Sequence, residues 1–526
     1  MHISRALTGA VLLSLLTAHL AAQPAIDPAA GPGVSPTPAA KEKAPEPISW
    51  GRAEQVVPIG ESREIVVKLP KDVTLTVTSS DPSVLEVTPT GVGKYRLTGN
   101  SLGSAVLSAT ASNGRPVPNL PVQVLRWAAK WDSGPGKLEF TGPADPKRVQ
   151  TSLDRWLGAR ALPGARITTT PAKGTPTGTI WEFQAAAQAP GTITREQTIK
   201  VDVAASPARA MAPAEVLMLS NHPEKIFGEG VLYKRSATAA SYRLMWHHRN
   251  DPEGVERYVA VTLANPNPTP RKMRIIWSAF GPSPDEIHVG HTAALNYASA
   301  GLYGYSESIT LPANGTRTIE VRRSKAGQTM SGVAYLCDES GAKLPLEMTV
   351  TASLPLAAVP NSEVQSRDPG RTASGVFPAD IEYDATHTLG GPYTFLEYGS
   401  EPYVADIEKQ HPSYGNFGTM YRTRLMLHNP ADGVRQAYIG FSAPGGAARG
   451  VLLLDGTLYD LPMGRSGDGV PVATVALQPG ETRQLDVELF PQAGSNYPIR
   501  LVVRSDFERR EKEALQPTAP HGEKLP

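Results

Sequence analysis

The sequence predicts a mainly β protein in which several small β-sandwiches follow one another, together with one small α+β module. Short runs that alternate apolar and polar residues recur along most of the chain, which is typical of half-buried strands. These runs are separated by many of the 48 glycines and 49 prolines among 526 residues. One pattern of strand and turn residues also occurs twice in the second half of the chain.

Composition excludes some classes of protein. The 51 Lys and Arg residues nearly balance the 50 Asp and Glu residues, so the chain lacks the basic excess of a nucleic-acid-binding protein. Its single cysteine, Cys337, permits no intramolecular disulfide and lies in a strand-like run, so we expect a buried, inert thiol. No cofactor is predicted, because the sequence contains none of the familiar cofactor-binding or metal-binding motifs.

Residues 1–22 predict a secretory signal peptide. His2 and Arg5 precede an apolar stretch at 6–18, and Ala22 is the candidate cleavage position. The alternative, an N-terminal membrane anchor, is less favoured because the stretch is shorter than the ~20 residues that span a bilayer. With no later apolar run of that length, we predict an exported protein, periplasmic or extracellular, without a transmembrane span in the mature chain.

The next two segments differ in character. Residues 23–47 are rich in Pro and Ala and predict a semi-extended linker. Residues 48–127 contain short alternating runs between turn signals, which predict a β-sandwich. The stretch 79–87 and the strand ends near Leu97 and Gly103 resemble the bacterial Ig-like domain, group 2, and also the small N-terminal domain of secretin-type pilus-assembly proteins. The resemblance implies an Ig-like sandwich without an active site.

Residues 128–206 predict the α+β module. A strand near Phe140 is followed by Asp145 and Pro146, which favour the start of a helix. Val149, Leu153, Trp156 and Leu157 then recur on one helical face. Two further strands complete a strand, helix, strand, strand unit.

An internal repeat occupies the rest of the chain. Leu263 to Pro266 and Leu427 to Pro430 both read Leu-x-Asn-Pro at the end of a strand. At near-equal distances downstream, Thr316 to Val321 matches Thr482 to Val487. Upstream, Gly230 to Leu232 matches Gly375 to Phe377. We call residues 207–357 copy one and 358–507 copy two, and we predict one sandwich fold for both, followed by a polar tail at 508–526.

The Asn-Pro motif predicts a structural turn, because proline fixes φ and the asparagine side chain can close the turn. Glycine-rich stretches near Tyr414, Gly446 and Asn496 resemble a family of secreted bacterial proteins of unknown function. That resemblance implies location and architecture and supplies no catalytic residues. Together with the N-terminal module, the fold class is tandem Ig-like β-sandwiches with one small α+β module.

One string resembles a catalytic motif. Gly99 to Gly103 matches the G-x-S-x-G nucleophile elbow around Ser101, but the elbow needs a helix after it and here a strand-like run follows. We therefore interpret it as a turn and predict no catalytic residue.

Histidines offer one metal hypothesis. His248, His288 and His291 lie in copy one and could supply imidazoles for zinc or copper if a loop brought them together. The alternative is that each histidine makes ordinary hydrogen bonds, which is the favoured interpretation.

Copy two contains extra residues around Gly399 to Met420. This insertion carries four rings, which belong to Tyr403, His411, Tyr414 and Phe417. Aromatic rings on a rigid sandwich are suited to contact sugars or proteins. Alternatively, the insertion covers an open end of its own sandwich.

Three functions follow from these observations. The leading prediction is an exported, non-enzymatic protein with a structural, adhesive or scaffolding role, whose partner is a cell-envelope protein or a glycan. The second is a carbohydrate-binding or enzyme-accessory protein that uses the aromatic insertion. The third is a histidine-dependent metal protein.

Overall fold

The computed structural model describes residues 48–505 except 132, 175, 252, 359–360, 365–373 and 467–468. Within these residues the chain folds into several β-sheets with two α-helices, which confirms the mainly β, sandwich-like multidomain class. None of the described helices is both long and apolar enough to cross a membrane. The predicted signal peptide, the linker at 23–47 and the tail at 508–526 lie outside the described residues.

The N-terminal module is a sandwich of two sheets. One sheet has the order β1-β7-β6-β3 and the other β2-β5-β4, with β1 parallel to β7. Alternate residues such as Leu97, Leu107 and Val124 point inward and are fully buried, as the alternating pattern predicts. The strands are β1 (Gln55–Pro58), β2 (Ser62–Val66), β3 (Leu75–Ser79), β4 (Leu85–Gly91), β5 (Lys94–Gly99), β6 (Gly103–Ala111) and β7 (Leu120–Trp127).

The α+β module packs one helix on a small sheet. Helix α1 begins after Asp145, whose side chain accepts a hydrogen bond from the Arg148 amide at 3.0 Å. Its buried face, which includes Leu153, packs against Trp131 and Phe183. The elements are β8 (Gly136–Thr141), α1 (Pro146–Gly158), β9 (Arg166–Pro171), β10 (Ile180–Gln188), β11 (Thr192–Ile193) and β12 (Arg195–Ser206), and the sheet order is β8-β12-β10-β9.

Copy one has its own hydrophobic core, and two stacked tryptophans lie within and against it. Trp246 stacks on Trp277 with 4.6 Å between ring centroids, and it lies over Gly332, where even a Cβ atom would come within 1.7 Å of the ring. The elements are β13 (Val216–Ser220), β14 (Lys225–Ile226), β15 (Gly230–Ala239), β16 (Ser241–Asn250), β17 (Arg257–Asn265), β18 (Arg271–Ser283), α2 (Glu286–Leu302), β19 (Ser306–Leu311), β20 (Gly315–Ser324), β21 (Thr329–Asp338) and β22 (Leu344–Ser353).

Copy two is the C-terminal sandwich. Its first strand, β23, pairs with β13 of copy one, and the others form its own two sheets. The strands are β23 (Ser374–Pro378), β24 (Asp380–Thr388), β25 (Thr394–Tyr398), β26 (Met420–His428), β27 (Arg435–Ser442), β28 (Ala448–Leu454), β29 (Thr457–Gly464), β30 (Val470–Leu477), β31 (Thr482–Leu489) and β32 (Ile499–Arg504).

The two copies share the strand order of one sheet but not of the other. The order β16-β21-β18-β19 in copy one corresponds to β25-β32-β27-β30 in copy two. The second sheet has the order β15-β22-β17-β20 in copy one and β24-β26-β31-β28-β29 in copy two, so the prediction of one sandwich fold for both copies holds only in part.

In this second sheet, Leu263 faces Arg317 across β17 and β20, and Leu427 faces Arg483 across β26 and β31. Next to the Asn-Pro motif, the two matched segments therefore pair in the same register in both copies, and a bulge between Val261 and Thr262 then shifts the register in copy one.

The repeated asparagine makes the same hydrogen bonds in both copies. Asn265 Nδ2 donates to the carbonyl oxygens of Thr269 at 2.8 Å and Pro312 at 3.0 Å. Asn429 Nδ2 donates to Gly433 at 2.8 Å and Gln478 at 3.0 Å. In each copy the asparagine Oδ1 also accepts the amide two residues later, and both side chains are fully buried. The Leu-x-Asn-Pro motif is thus a buried clasp between two loops.

The structure corrects one part of the predicted repeat. Gly375 to Phe377 lies in β23, opposite Leu219 to Leu217 of copy one, whereas Gly230 to Leu232 begins β15 in the other sheet. These segments are not equivalent, and the strand that corresponds to β15 is β24. The short glycine-hydrophobic string was too unspecific to align the two copies.

The modules are joined by buried contacts. β8 pairs with β19, so the sheet of the α+β module continues into copy one as a single eleven-stranded sheet. Helix α2 packs between copy one and copy two, and at Gly290 a Cβ atom would come within 1.8 Å of the Ala493 carbonyl oxygen. These contacts join three successive modules.

One arginine spans the junction between the two copies. Arg243, on β16, is 2% exposed and reaches into copy two. Its Nη1 donates to the carbonyl oxygens of Ala379 at 2.6 Å and Gly418 at 3.2 Å, and its Nη2 pairs with Asp380 at 3.1 Å. A single buried guanidinium thereby satisfies three acceptors of the neighbouring copy.

Candidate functional site

The aromatic insertion lies between β25 and β26, where the corresponding loop of copy one, between β16 and β17, is much shorter. Two buried polar side chains hold it. The Asp406 carboxylate accepts the amides of Val376 at 2.8 Å and Glu408 at 2.9 Å. Asn416 accepts the Val404 amide at 2.8 Å and donates to the Tyr421 hydroxyl at 2.6 Å. The insertion is therefore an ordered structure anchored on both copies.

The pKa of Asp406 reflects this anchoring. Burial alone would raise it, but the amides of Lys409, Val376 and Glu408 donate to the carboxylate and lower it below the ordinary value. The carboxylate thus remains charged within the loop and keeps its backbone partners.

The four predicted ring residues occupy two different environments. Phe417 packs edge-on against Tyr497 with 5.3 Å between centroids, and His411 Nε2 lies 3.2 Å from the Ser374 carbonyl oxygen, against Phe377. Both of these rings support the loop. Tyr403 and Tyr414 instead form a pair with centroids 5.4 Å apart, and Tyr414 is 43% exposed. Of the four rings, Tyr414 is the exposed one, and Tyr403, His411 and Phe417 are half-buried.

The three predicted metal-ligating histidines have separate surroundings. His248 lies between the Ser220 hydroxyl at 2.9 Å and the Pro223 carbonyl oxygen at 2.8 Å. His291, on α2, lies 2.8 Å from Asp460 of copy two. His288 packs edge-on against Phe280 at the exposed start of α2. Within the part of the chain that the structure describes, no three His, Cys, Asp or Glu side chains form a group that could hold a metal ion.

A fourth histidine, which the metal hypothesis did not use, is buried on β16. His247 is 2% exposed, its Nδ1 has no hydrogen-bond partner among the described residues, and burial lowers its pKa to about 4. In the unfolded chain the His247 imidazole has its ordinary pKa of 6.5. It is therefore protonated at a higher pH in the unfolded chain than in the folded protein. We therefore expect the free energy of unfolding to decrease as the pH falls from about 6.5 to about 4.

Denaturant unfolding of the wild type, His247→Gln and the exposed control His288→Gln across this pH range tests the expectation. The free energy of unfolding should depend less on pH in His247→Gln than in the wild type. His288→Gln should show the same pH dependence as the wild type. Equal pH dependence in the wild type and His247→Gln would show that another group is responsible.

The G-x-S-x-G string forms a turn between two strands. β5 ends at Gly99 and β6 begins at Gly103, so a strand follows where the nucleophile elbow requires a helix. The Ser101 hydroxyl donates to the Ser83 carbonyl oxygen at 2.8 Å. This hydrogen bond stabilises the turn.

The structure also shows exposed rings that the sequence analysis missed. Tyr393 and Phe395 are 41% and 49% exposed at the start of β25, and Arg504 and Arg500 lie over them. Buried and exposed residues alternate along this strand, and Leu396 and Tyr398 are buried. This alternation in the sequence could have identified the exposed rings.

A second missed feature is a cleft of about 730 Å³ between α1 and copy one. It contains the ion pair of Arg155 with Glu307 and the hydrogen bond from Trp277 Nε1 to Glu320 at 2.7 Å. These residues come from distant parts of the sequence, so no local pattern indicates the cleft.

Comparison with known proteins gives no family. No family model matches the chain, and no curated protein matches it either. Among solved structures, domains 5–6 of the S-layer protein SbsC show 12% identity and a TM-score of 0.14, with 37% of this chain and 77% of that chain covered.

Two other solved structures have similarly low scores. The Bacteroides ovatus protein SGBP-B, from a mixed-linkage glucan utilization locus and in complex with a heptasaccharide, shows 10% identity over 60% of this chain and 98% of that chain, with a TM-score of 0.13. Cadherin domains 1–5 of protocadherin gamma B2 show 10% identity over 89% and 82%, with a TM-score of 0.12. Likeness at this level carries no argument about activity.

Proposed function

We propose that this chain is an exported, non-enzymatic scaffold of the cell envelope, in which tandem β modules form a stiff body. The observation that supports the proposal is the connection of modules by buried contacts. A continuous sheet joins the α+β module to copy one, and Arg243 with α2 joins copy one to copy two. Inter-domain interfaces of ordinary enzymes are often open to motion, whereas buried junctions hold a spacer at a fixed length.

The export part of the proposal rests on the sequence. An apolar segment after His2 and Arg5 and a Pro/Ala-rich linker precede the folded modules. The absence of a possible disulfide means that packing alone must stabilise the cores. Fractionation of cells that express the full chain tests this step: the protein should appear in the periplasmic, envelope or secreted fraction. Deletion of residues 2–22 should retain it in the cytosol, and cytosolic retention of the full chain would contradict export.

A second candidate function is glycan binding at the tyrosine pair. Tyr403 and Tyr414 lie at an angle of 69°, and Tyr414 is exposed. A ring face stacks on the apolar face of a sugar, and the phenol hydroxyl can donate a hydrogen bond. The anchored backbone of the insertion would hold both rings in place before the ligand arrives.

If this second function is correct, Tyr414→Ala should weaken binding to envelope glycans on the order of tenfold, because one stacked ring contributes about 1.4 kcal/mol or more. The melting temperature should change little, since Tyr414 is 43% exposed and belongs to no buried core of the described residues. Tyr393→Ala, which removes a ring of similar exposure, is the matched control for glycan-array or calorimetric measurements. Equal binding by the wild type and Tyr414→Ala would exclude this surface.

A further inference from the structure

A cavity of about 880 Å³ lies where the α+β module meets copy one, whose first residues, 207–215, form part of its lining. Its floor is the outer face of the copy-one sheet, where Ser241, Cys337 and Arg274 lie opposite one another on β16, β21 and β18. Apolar groups, including Phe140, Pro207 and Pro213, line the rest. This volume is in the range that accommodates small organic ligands.

The acidic groups of the cavity already have cationic partners. Glu139 pairs with Lys137 at 2.7 Å and with Lys272 at 2.5 Å, and Glu339 lies 3.6 Å from Lys272. The other two carboxylates are also paired: Asp338 with Arg271 at 2.9 Å and Glu215 with Lys343 at 3.1 Å. The carboxylates of the cavity are therefore neutralised by groups of the protein itself.

Unlike the carboxylates of the cavity, the Arg274 guanidinium has no partner of opposite charge among the described residues. It is 8% exposed, yet it forms no ion pair with any described residue, and its Nη1 has no hydrogen-bond partner among them. Its Nη2 makes only a long hydrogen bond of 3.4 Å to the Ala210 carbonyl oxygen. A buried guanidinium without a counterion is costly, because it has lost water without gaining an acceptor.

Arg271 on the same strand shows what a structural arginine looks like here. It is 3% exposed, and besides its pairing with Asp338 it donates to the Pro345 carbonyl oxygen at 2.8 Å. The Nη2 of Arg271 also has no hydrogen-bond partner among the described residues, but this guanidinium has a counterion. Arg274, three positions further along β18 and similarly buried, has none among them. The unpaired one is the one that lines the cavity.

We propose that this cavity binds a small organic monocarboxylate, whose carboxylate group pairs with Arg274. A planar carboxylate matches the donor geometry of a guanidinium. A dianion such as sulfate is disfavoured, because Arg274 is the buried cation of this lining, whereas Arg209 is exposed to water and Lys272 is already paired. The apolar lining accepts the body of an organic ligand. This site is independent of the proposed scaffold function and of the tyrosine pair.

The test uses the full chain and two variants, Arg274→Met and Arg271→Met, in thermal unfolding at constant ionic strength. The probes are sodium glucuronate and sodium benzoate, with glucose and benzamide as uncharged counterparts and sodium sulfate as the dianion. At about ten times its Kd, at least one carboxylate should raise the melting temperature by about 2–4 °C, and its uncharged counterpart should not. Arg274→Met should weaken binding of that carboxylate at least tenfold by calorimetry.

The variants without ligand separate a binding role from a structural one. Arg274→Met should be as stable as the wild type or more stable, since it removes an uncompensated buried charge, whereas Arg271→Met should be less stable because it leaves Asp338 unpaired. The proposal is overturned if neither carboxylate shifts the melting temperature, if sulfate shifts it equally, or if the shift survives in Arg274→Met. Equal destabilisation by the two substitutions would also overturn it.

Discussion

Replacement of Arg243 by alanine is expected to lower the free energy of unfolding by about 3–5 kcal/mol, the usual effect of removing one partner of a buried ion pair. The substitution leaves the Asp380 carboxylate and the carbonyl oxygens of Ala379 and Gly418 without this donor at the junction of the two copies. Chemical denaturation followed by circular dichroism measures the change.

The matched control is Arg424→Ala. Arg424 pairs with Asp384 at 2.7 Å, but its side chain is 60% exposed, so the loss should be no more than about 1 kcal/mol. Similar losses in the two variants would mean that Arg243 does not hold the copies together. A second transition that appears only in Arg243→Ala would indicate that copy two unfolds separately once the junction is weakened.

The second large effect concerns the clasp asparagines. Asn265→Ala and Asn429→Ala should each cost about 2–4 kcal/mol, because each leaves buried carbonyl oxygens without a donor. The two losses should be similar, since the two side chains make the same hydrogen bonds in equivalent loops. Equilibrium denaturation of both variants gives the comparison.

Asn113→Ala serves as the control for this pair. Asn113 also closes a turn, with its Oδ1 accepting the Arg115 amide at 3.2 Å, but the residue is exposed. Its substitution should change stability by no more than about 0.5 kcal/mol. If Asn265→Ala were as mild as this control while Asn429→Ala were severe, the clasp would not be a shared element of the repeat.

The sequence was informative wherever structure follows from local chemistry. Alternating runs identified the sandwiches, and the Asp145-Pro146 pair marked the start of α1. The Leu-x-Asn-Pro motif revealed the repeat because each asparagine closes its own loop through nearby carbonyl oxygens. In these cases the residues that interact are close in the sequence, or the pattern directly reflects one buried face.

Other features depend on contacts that no local pattern encodes. Helix α2 was not predicted, because it is buried between the two copies and carries small residues such as Ala293, Ala294 and Ala298 on its buried surface. A helix buried on more than one side lacks the polar stripe that marks an amphipathic helix. The pairing of β8 with β19 likewise depends on strands from different modules.

The candidate sites show the same division. The sequence located the aromatic insertion, but only the structure separates the supporting rings of Phe417 and His411 from the surface pair of Tyr403 and Tyr414. The lack of an ion pair at Arg274 could not be predicted from the sequence. Several carboxylates and cations come together in this region, and only the folded structure shows which of them form pairs.

The central claim is that the α+β module and both copies form one rigid body. The most direct test measures the distance between spin labels on different modules. Labels at Ile180→Cys and Val434→Cys, in a chain with Cys337→Ser, occupy exposed positions on the α+β module and on copy two. A second pair of labels, at positions 434 and 463 within copy two, gives the width of the distance distribution expected for a single domain. The account predicts that the inter-module distance distribution is as narrow as this reference. A broad or multimodal distribution would contradict it.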